Sequence, residues 1–458
     1  MPLSSPKVVS PVLDVAESKA GSPVLDLAEN IFAVVALLVF SGVLNLASHY
    51  NVSEGVPGYG DYYSSKFDRI VSLLQYGIYA TTLFLLLARL KSTVYTAKTD
   101  PFLWALVGIA VISFMWSDFP NESQKGGLDV LKTTLFGLYF ASRFSLKDQL
   151  RLLVWALGIG AVITVMYTLP FRGTGLESGT HAGAWRGTLL HKNLLARLML
   201  VSAVASLLVA LNTRRWRNRY LVWAVCGLSV ALIVLSTSKT ALVVFATLII
   251  LLPLYNALRW SEGLAIPFFI TLSLVGGAIA TFVVSGWDSL LVSLGKDPTL
   301  SGRTDIWEVV IENIWERPWF GYGYQGFWQE KGDADLVWRV IRYKVFHAHN
   351  GFLNIAVELG LVGMFLFVLS VLFTYIRALQ WARLGKTSEY LWPITYITFL
   401  LMYNYTETTN ITQHSLFWVL FVTATLSLNH FPVVDQGEES ARLEKNRSVS
   451  RKSLESLS

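Results

Sequence analysis

The sequence predicts an all-α polytopic integral membrane protein of about 12 transmembrane helices, and three observations predict it. Uncharged apolar runs recur along the 458 residues, each near the ~20 residues that an α-helix needs to cross a bilayer. Hydrophobic residues make up 53% of the chain and charged residues only 15%, a balance that leaves little material for a water-facing surface. Basic residues gather in alternate connecting segments, as the positive-inside rule requires of a multi-pass chain.

The spans read at 31–48, 70–90, 101–117, 128–145, 150–169, 193–212, 220–237, 239–258, 264–285, 352–377, 390–405 and 413–430. Residues 1–29 are too polar and acidic for a signal peptide, so they form a cytoplasmic tail and the first span stays as an anchor. That tail holds a small repeat, Ser10–Glu17 and Ser22–Glu29, with no function attached to it. A membrane domain follows over 30–430, and 431–458 is a serine-rich, mixed-charge cytoplasmic tail expected to be disordered.

Orientation follows from the loops. With a cytoplasmic N-terminus, the inner loops carry Arg89, Lys91 and Lys98, then Arg143, Lys147 and Arg151, then Arg214, Arg215, Arg217 and Arg219, then Arg259, and last Arg377, Arg383 and Lys386. The net charge of +6 is thus accounted for by loops that meet anionic lipid, and nucleic acid is not implied. One cysteine, Cys226, excludes an intramolecular disulfide and a cysteine-based metal site. One large outer segment remains, 286–350, with Trp307, Trp315, Trp319, Trp328 and Trp338 spaced as on amphipathic surface helices. These indoles read either as an interfacial belt or as platforms for sugar rings, with Trp319 and Tyr322 in Pro318–Tyr324 the best candidates for the second reading.

Four polar clusters interrupt the apolar pattern, and all fall on the outer side of this topology: Arg186–Asn193, Ser236–Lys239, Ser301–Asp305 and His347–Asn350. Three stand at outward-facing helix N-termini, where free N–H groups and the helix dipole favour an anion. Asn193, Ser238 and Asn350 fit as N-caps. Arg186, Lys192, Lys239 and Arg303 add a cationic pocket suited to a diphosphate. Each cation also has a plainer reading as a helix-end anchor, and Ser236–Lys239 reads equally as a tight turn.

Histidine is the side chain best suited to move protons near neutral pH. His349 is the better base of its pair, since Asn350 starts the helix and fixes the ring. His347 either orients substrate or faces water, and Glu407 is an alternative base or a partner for His349. His191 and His414 read as ordinary hydrogen-bonding residues, and Gly360 and Gly363 as a close-packing face.

His349-Asn350, nine residues, then Gly360-Leu361-Val362-Gly363 resembles the histidine motif of the O-antigen ligase superfamily, which includes O-antigen polymerases and exopolysaccharide polymerases. The resemblance extends through Arg186–Asn193, Leu235–Val244, Ser301–Trp328 and His347–Gly363, and is closest in look to succinoglycan-type exopolysaccharide polymerases. It implies an inverting, metal-independent glycosyltransferase of the bacterial inner membrane, with its site facing the periplasm and no cofactor. The donor would be an undecaprenyl-diphosphate-linked oligosaccharide and the acceptor a growing glycan or, in a ligase, lipid A-core. A flippase and a chain-length regulator are the partners that such membership suggests. Carried over by residue, His349 deprotonates the acceptor hydroxyl and Arg186 and Arg303 hold the diphosphate. Lys239 stands where many relatives have Arg, which keeps charge but loses the bidentate fork. A secondary transporter of an anionic substrate also fits the helix count, but the polar residues gather at one face and not at the midplane.

Overall fold

Each apolar run named above that falls on described residues is occupied by a helix. The computed structural model describes residues 23–45, 66–212, 216–259, 303–330, 332–341, 344–405 and 407–428. Its helices are α1 (Pro23–Phe40), α2 (Lys66–Ala88), α3 (Leu90–Ala97), α4 (Pro101–Ile112), α5 (Pro120–Arg143), α6 (Leu146–Thr168), α7 (Lys192–Asn212), α8 (Trp216–Leu235), α9 (Lys239–Ala257), α10 (Arg303–Glu316), α11 (Ala334–Ile341), α12 (Gly351–Leu384), α13 (Trp392–Asn404) and α14 (Leu416–Ser427). This is an all-α, multi-pass membrane protein.

Among the described residues, seven helices are long and apolar enough to cross a membrane, or eight if α3 and α4, bent by 95°, act as one. The expected count of twelve is not confirmed by the described residues alone. The predicted span 264–285 lies outside the described residues. Helix α5 carries Asp129, Lys132 and Arg143 within its apolar run, and α13 and α14 have only 13 and 12 residues, short of the ~30 Å hydrocarbon layer at ~1.5 Å per residue.

The N-terminal boundary also moves. Residues 23–29 belong to α1, and not to a polar tail. The second copy of the repeat supplies Asp26 and Glu29. Buried Glu29 accepts from Arg143 Nε at 2.5 Å and Arg89 Nη1 at 3.0 Å, while Asp26 pairs with Arg143. Two arginines predicted for inner loops thus meet two acids at the end of the bundle remote from His349.

Two apolar clusters form. The larger fills the bundle and includes Phe136, Leu198, Phe367 and Trp418. The smaller packs α10, α11 and the chain between them onto the first turns of α12 through Ile306, Val310, Trp328, Val337 and Val357. Two indoles of the large segment, Trp328 and Trp338, therefore do not lie at a membrane surface as proposed but are buried, as is the sugar-platform candidate Tyr322.

Helix α12 is not one continuous span. Gly360 has φ +69° and ψ −175° and breaks it. The N–H groups freed at the break are taken by the preceding segment: Leu361 N donates to Pro318 O at 2.7 Å and Val362 N to Trp319 O at 3.2 Å. A Cβ on Gly360 would stand 2.2 Å from Trp319 O. Gly363, read above as a packing face toward a neighbour, instead gives room to Leu359 of its own helix across the break, where a Cβ would stand 2.4 Å from Leu359 Cβ. Before the break Ala356 and Val357 join the smaller cluster while Ile355 and Leu359 join the larger, and after it Phe367 and Val371 pack in the bundle. Gly360→Ala is expected to cost about 3 kcal/mol, since this backbone region is nearly closed to other residues and the carbonyl clash adds to it. The check is the unfolding midpoint in detergent, and an unchanged midpoint would dismiss the break as a structural requirement.

Candidate active site

The tetrapeptide His347–Asn350 is held from three directions before it does any chemistry. Asn350 caps α12, its Oδ1 accepting from Phe352 N at 3.0 Å and Leu353 N at 3.2 Å. Ala348 is pinned on both sides of its peptide: its carbonyl accepts from Trp307 Nε1 at 2.9 Å, and its N–H donates to Asn354 Oδ1 at 3.2 Å. The same Asn354 oxygen accepts from Trp328 Nε1 at 2.9 Å. His349 turns through φ +48°, which sets its ring edge-on to His347 with centroids 4.2 Å apart. The His349 N–H donates to His347 Nδ1 at 3.2 Å, so His347 carries its proton on Nε2.

Glu407 is the hub. One turn past α13, its N–H donates to Tyr403 O at 2.9 Å. Its carboxylate Oε1 accepts from Arg303 Nη2 at 2.9 Å and from Asn193 Nδ2 at 3.3 Å. Its Oε2 lies 3.4 Å from His349 Nδ1. Asn193 Oδ1 in turn accepts from Ser238 Oγ at 2.9 Å. Five segments far apart in sequence thus meet at one acid: the starts of α7, α9, α10 and α12, and the end of α13.

Electrostatics fix the protonation states. Burial opposes charge on Glu407, but the His349 hydrogen bond and charge and the Arg303 guanidinium outweigh it, and the carboxyl is held down to about 2. An ionised carboxylate only accepts, so it takes the Nδ1 proton of His349 and leaves Nε2 as the open acceptor. His347 is pushed down to about 3, first by burial and then by repulsion from His349, Arg197 and Arg303. It is neutral at pH 7 and positions its neighbour.

The other predicted residues divide. Lys192 starts α7 beside the hub, its Nζ donating to Thr237 Oγ1 at 3.3 Å. Lys239 is exposed at the start of α9 and close enough to Lys192 for their charges to repel. Arg186 lies in the strap leading to α7, its guanidinium donating to Thr174 O at 3.0 Å and Leu190 O at 3.3 Å. Trp319 is exposed but sits at the Gly360 break, about 15 Å along α12 from Asn350. Tyr322 is 2% exposed and donates to Glu316 Oε2 at 3.0 Å, with Arg317 over its ring, so it offers no face to a sugar.

Two capping expectations change. Asn193 is inside α7, whose first N–H, at Lys192, donates to Glu177 Oε1 at 2.7 Å. Ser238 sits at the N-cap of α9 but spends its hydroxyl on Asn193. His191 and His414 both make hydrogen bonds: His191 Nδ1 accepts from Asn193 N at 3.2 Å, and His414 bridges Tyr79 at 2.6 Å and Asp129 at 3.4 Å.

Arg197 was missed. It is half-buried in α7, donates to Thr408 O at 3.2 Å and stacks 4.6 Å from the Phe417 ring centre. It bears on both Glu407 and His347. The signal was available, since an ionisable residue inside a transmembrane run is a functional candidate in itself. Among the described residues, no three His, Cys, Asp or Glu side chains converge in a way that could hold a metal ion.

Comparison with known proteins adds what the chain is similar to. Residues 224–368 match the model of the O-antigen ligase family. The chain is 27% identical over 331 residues to the exopolysaccharide production protein ExoQ of Rhizobium meliloti (strain 1021), covering 69% of this chain and 73% of that protein. It is 30% identical over 94 residues to the putative polysaccharide ligase RC0486 of Rickettsia conorii, covering 19% of this chain and 22% of that one.

Proposed function

We propose that the chain, whose residues 224–368 match the O-antigen ligase family, is a membrane glycosyltransferase that moves glycan from a polyprenyl-diphosphate carrier to a sugar hydroxyl. The observation that carries this reading is the Glu407 carboxylate placed between Arg303 and His349. It joins a proton acceptor to a cation within one cleft, which is what displacement of a diphosphate by a hydroxyl demands.

Glu407 holds Nδ1–H of His349, so Nε2 takes the proton of the acceptor hydroxyl. The freed oxygen attacks the anomeric carbon from the face opposite the carrier, and the bond from that carbon to the diphosphate oxygen breaks with inversion. Negative charge then grows on the diphosphate. Arg303 has five N–H donors and remains able to fork onto a phosphate while touching Glu407. Lys192 and Lys239 add positive charge at the starts of α7 and α9, where the helix dipoles act in the same sense. Arg186 serves this role only if its guanidinium leaves the two carbonyls it now binds.

The gathering of basic residues in the segments read as inner loops supports a site on the outer, periplasmic side of the inner membrane. The long match to an exopolysaccharide production protein favours polymerisation of repeat units over ligation to lipid A-core. Purified protein given an undecaprenyl-diphosphate oligosaccharide in EDTA is expected to make a ladder of lengthening lipid-linked glycans. Transfer only when lipid A-core is supplied would make it a ligase. No transfer to either acceptor would remove the glycosyltransferase reading.

A further inference from the structure

Resting on that reading, we infer that the outward face of α10 and the cavity at its end form a track for the hydrocarbon chain of the lipid-linked donor. Trp307, Ile311 and Trp315 recur at four-residue spacing on α10, and the spacing continues to Trp319 just beyond it. Residues four apart share one helix face. Ile311, Trp315 and Trp319 are exposed. The row starts at the catalytic tetrapeptide, where Trp307 Nε1 donates to Ala348 O. It ends in a cavity of about 350 Å³ lined by Trp116, Arg317, Pro318, Trp319, Phe320 and Gly321.

Charge and continuity choose the occupant. Arg317 is the single cation among the residues lining the cavity; it is paired to Asp118 at 2.7 Å and stacked 4.4 Å from the Tyr322 ring centre. It is thus already neutralised. Glu308 and Glu312 flank the row on α10. A phospholipid seated here would bring its phosphate to a paired arginine and an acidic helix face. A chain whose charged head sits elsewhere meets no such cost, and the cationic cleft around Arg303 lies at the other end of α10. The lining residues Trp116 and Trp319 adjoin the chain just after α4 and the Gly360 break of α12, and near them in sequence Ile112, Met115, Phe365 and Val368 are exposed apolar residues. Hydrocarbon passing that way continues into lipid, whereas a glycan would have to enter it.

The test uses full-length protein in nanodiscs and a polyprenyl diphosphate with a photoreactive diazirine in its isoprenoid chain. Label is expected on 311–320, displaced by polyprenyl monophosphate, and reduced about tenfold when Trp315 and Trp319 are both changed to Ser, as loss of two large apolar contacts implies. Label spread over the lipid-facing helices, or unaltered in the double variant, would overturn the track. Displacement by the soluble oligosaccharide but not by the lipid would overturn it too, in favour of a glycan path. Glycan transfer is measured in the same samples: label on 311–320 without transfer upholds the track and fails the proposed reaction, and transfer with label elsewhere does the reverse.

Discussion

Replacing His349 by alanine is expected to lower glycan transfer by about 100- to 10,000-fold, the usual contribution of a positioned general base, with little change in the unfolding midpoint. The ring makes few structural contacts. Its hydrogen-bonding partner is Glu407 at 3.4 Å, and it is 28% exposed in the cleft. The backbone at φ +48° is a second variable, because alanine tolerates that region less well than asparagine. His349→Asn keeps the turn and removes the base, so both variants should lose transfer alike. Normal transfer by a well-inserted His349→Asn protein would take the base role away from His349.

Glu407→Gln is expected to reduce kcat by about 10- to 100-fold, the scale seen when the partner that orients a histidine is removed. Glutamine can still meet Arg303 and Asn193, but it no longer anchors the Nδ1 proton of His349 by charge. The donor KM should not rise, since Arg303 loses its competing anion. A rise in KM at constant kcat would mean that Glu407 binds substrate and does not orient the base.

The pH dependence has a definite sign. The Glu407 carboxyl is depressed from its ordinary 4.5 to about 2, so its contribution to stability is whole above 4.5 and lost only as pH falls through about 2. The part of the stability difference between wild type and Glu407→Gln that rests on the Glu407 charge should therefore be lost only in strong acid, as pH falls from 4.5 through about 2. Convergence near neutrality would contradict the assigned charge.

The helices were legible because crossing hydrocarbon requires an unbroken apolar run with its backbone satisfied internally, a one-dimensional property. The His349-Asn350 cap was legible for a similar reason, since a cap acts on the turn that follows it. Glu407 could be named as a partner, yet nothing local to it showed that Arg303 and Asn193 would share its oxygens. Tyr322 and Trp319 stand three residues apart in one aromatic stretch, and only packing buried the first and exposed the second.

What the sequence by itself determined is the membrane class, the ends at which the basic residues gather, and the residue types of the cleft. Each depends on composition or short spacing. The tertiary structure decided which cations keep company with Glu407, that Arg186 is turned onto carbonyls, and that α12 breaks at Gly360 to accept the chain at Pro318 and Trp319. Those outcomes join residues tens to hundreds of positions apart. They depend on which unpaired donor meets which unpaired acceptor once the helices have packed, and no local pattern specifies that pairing.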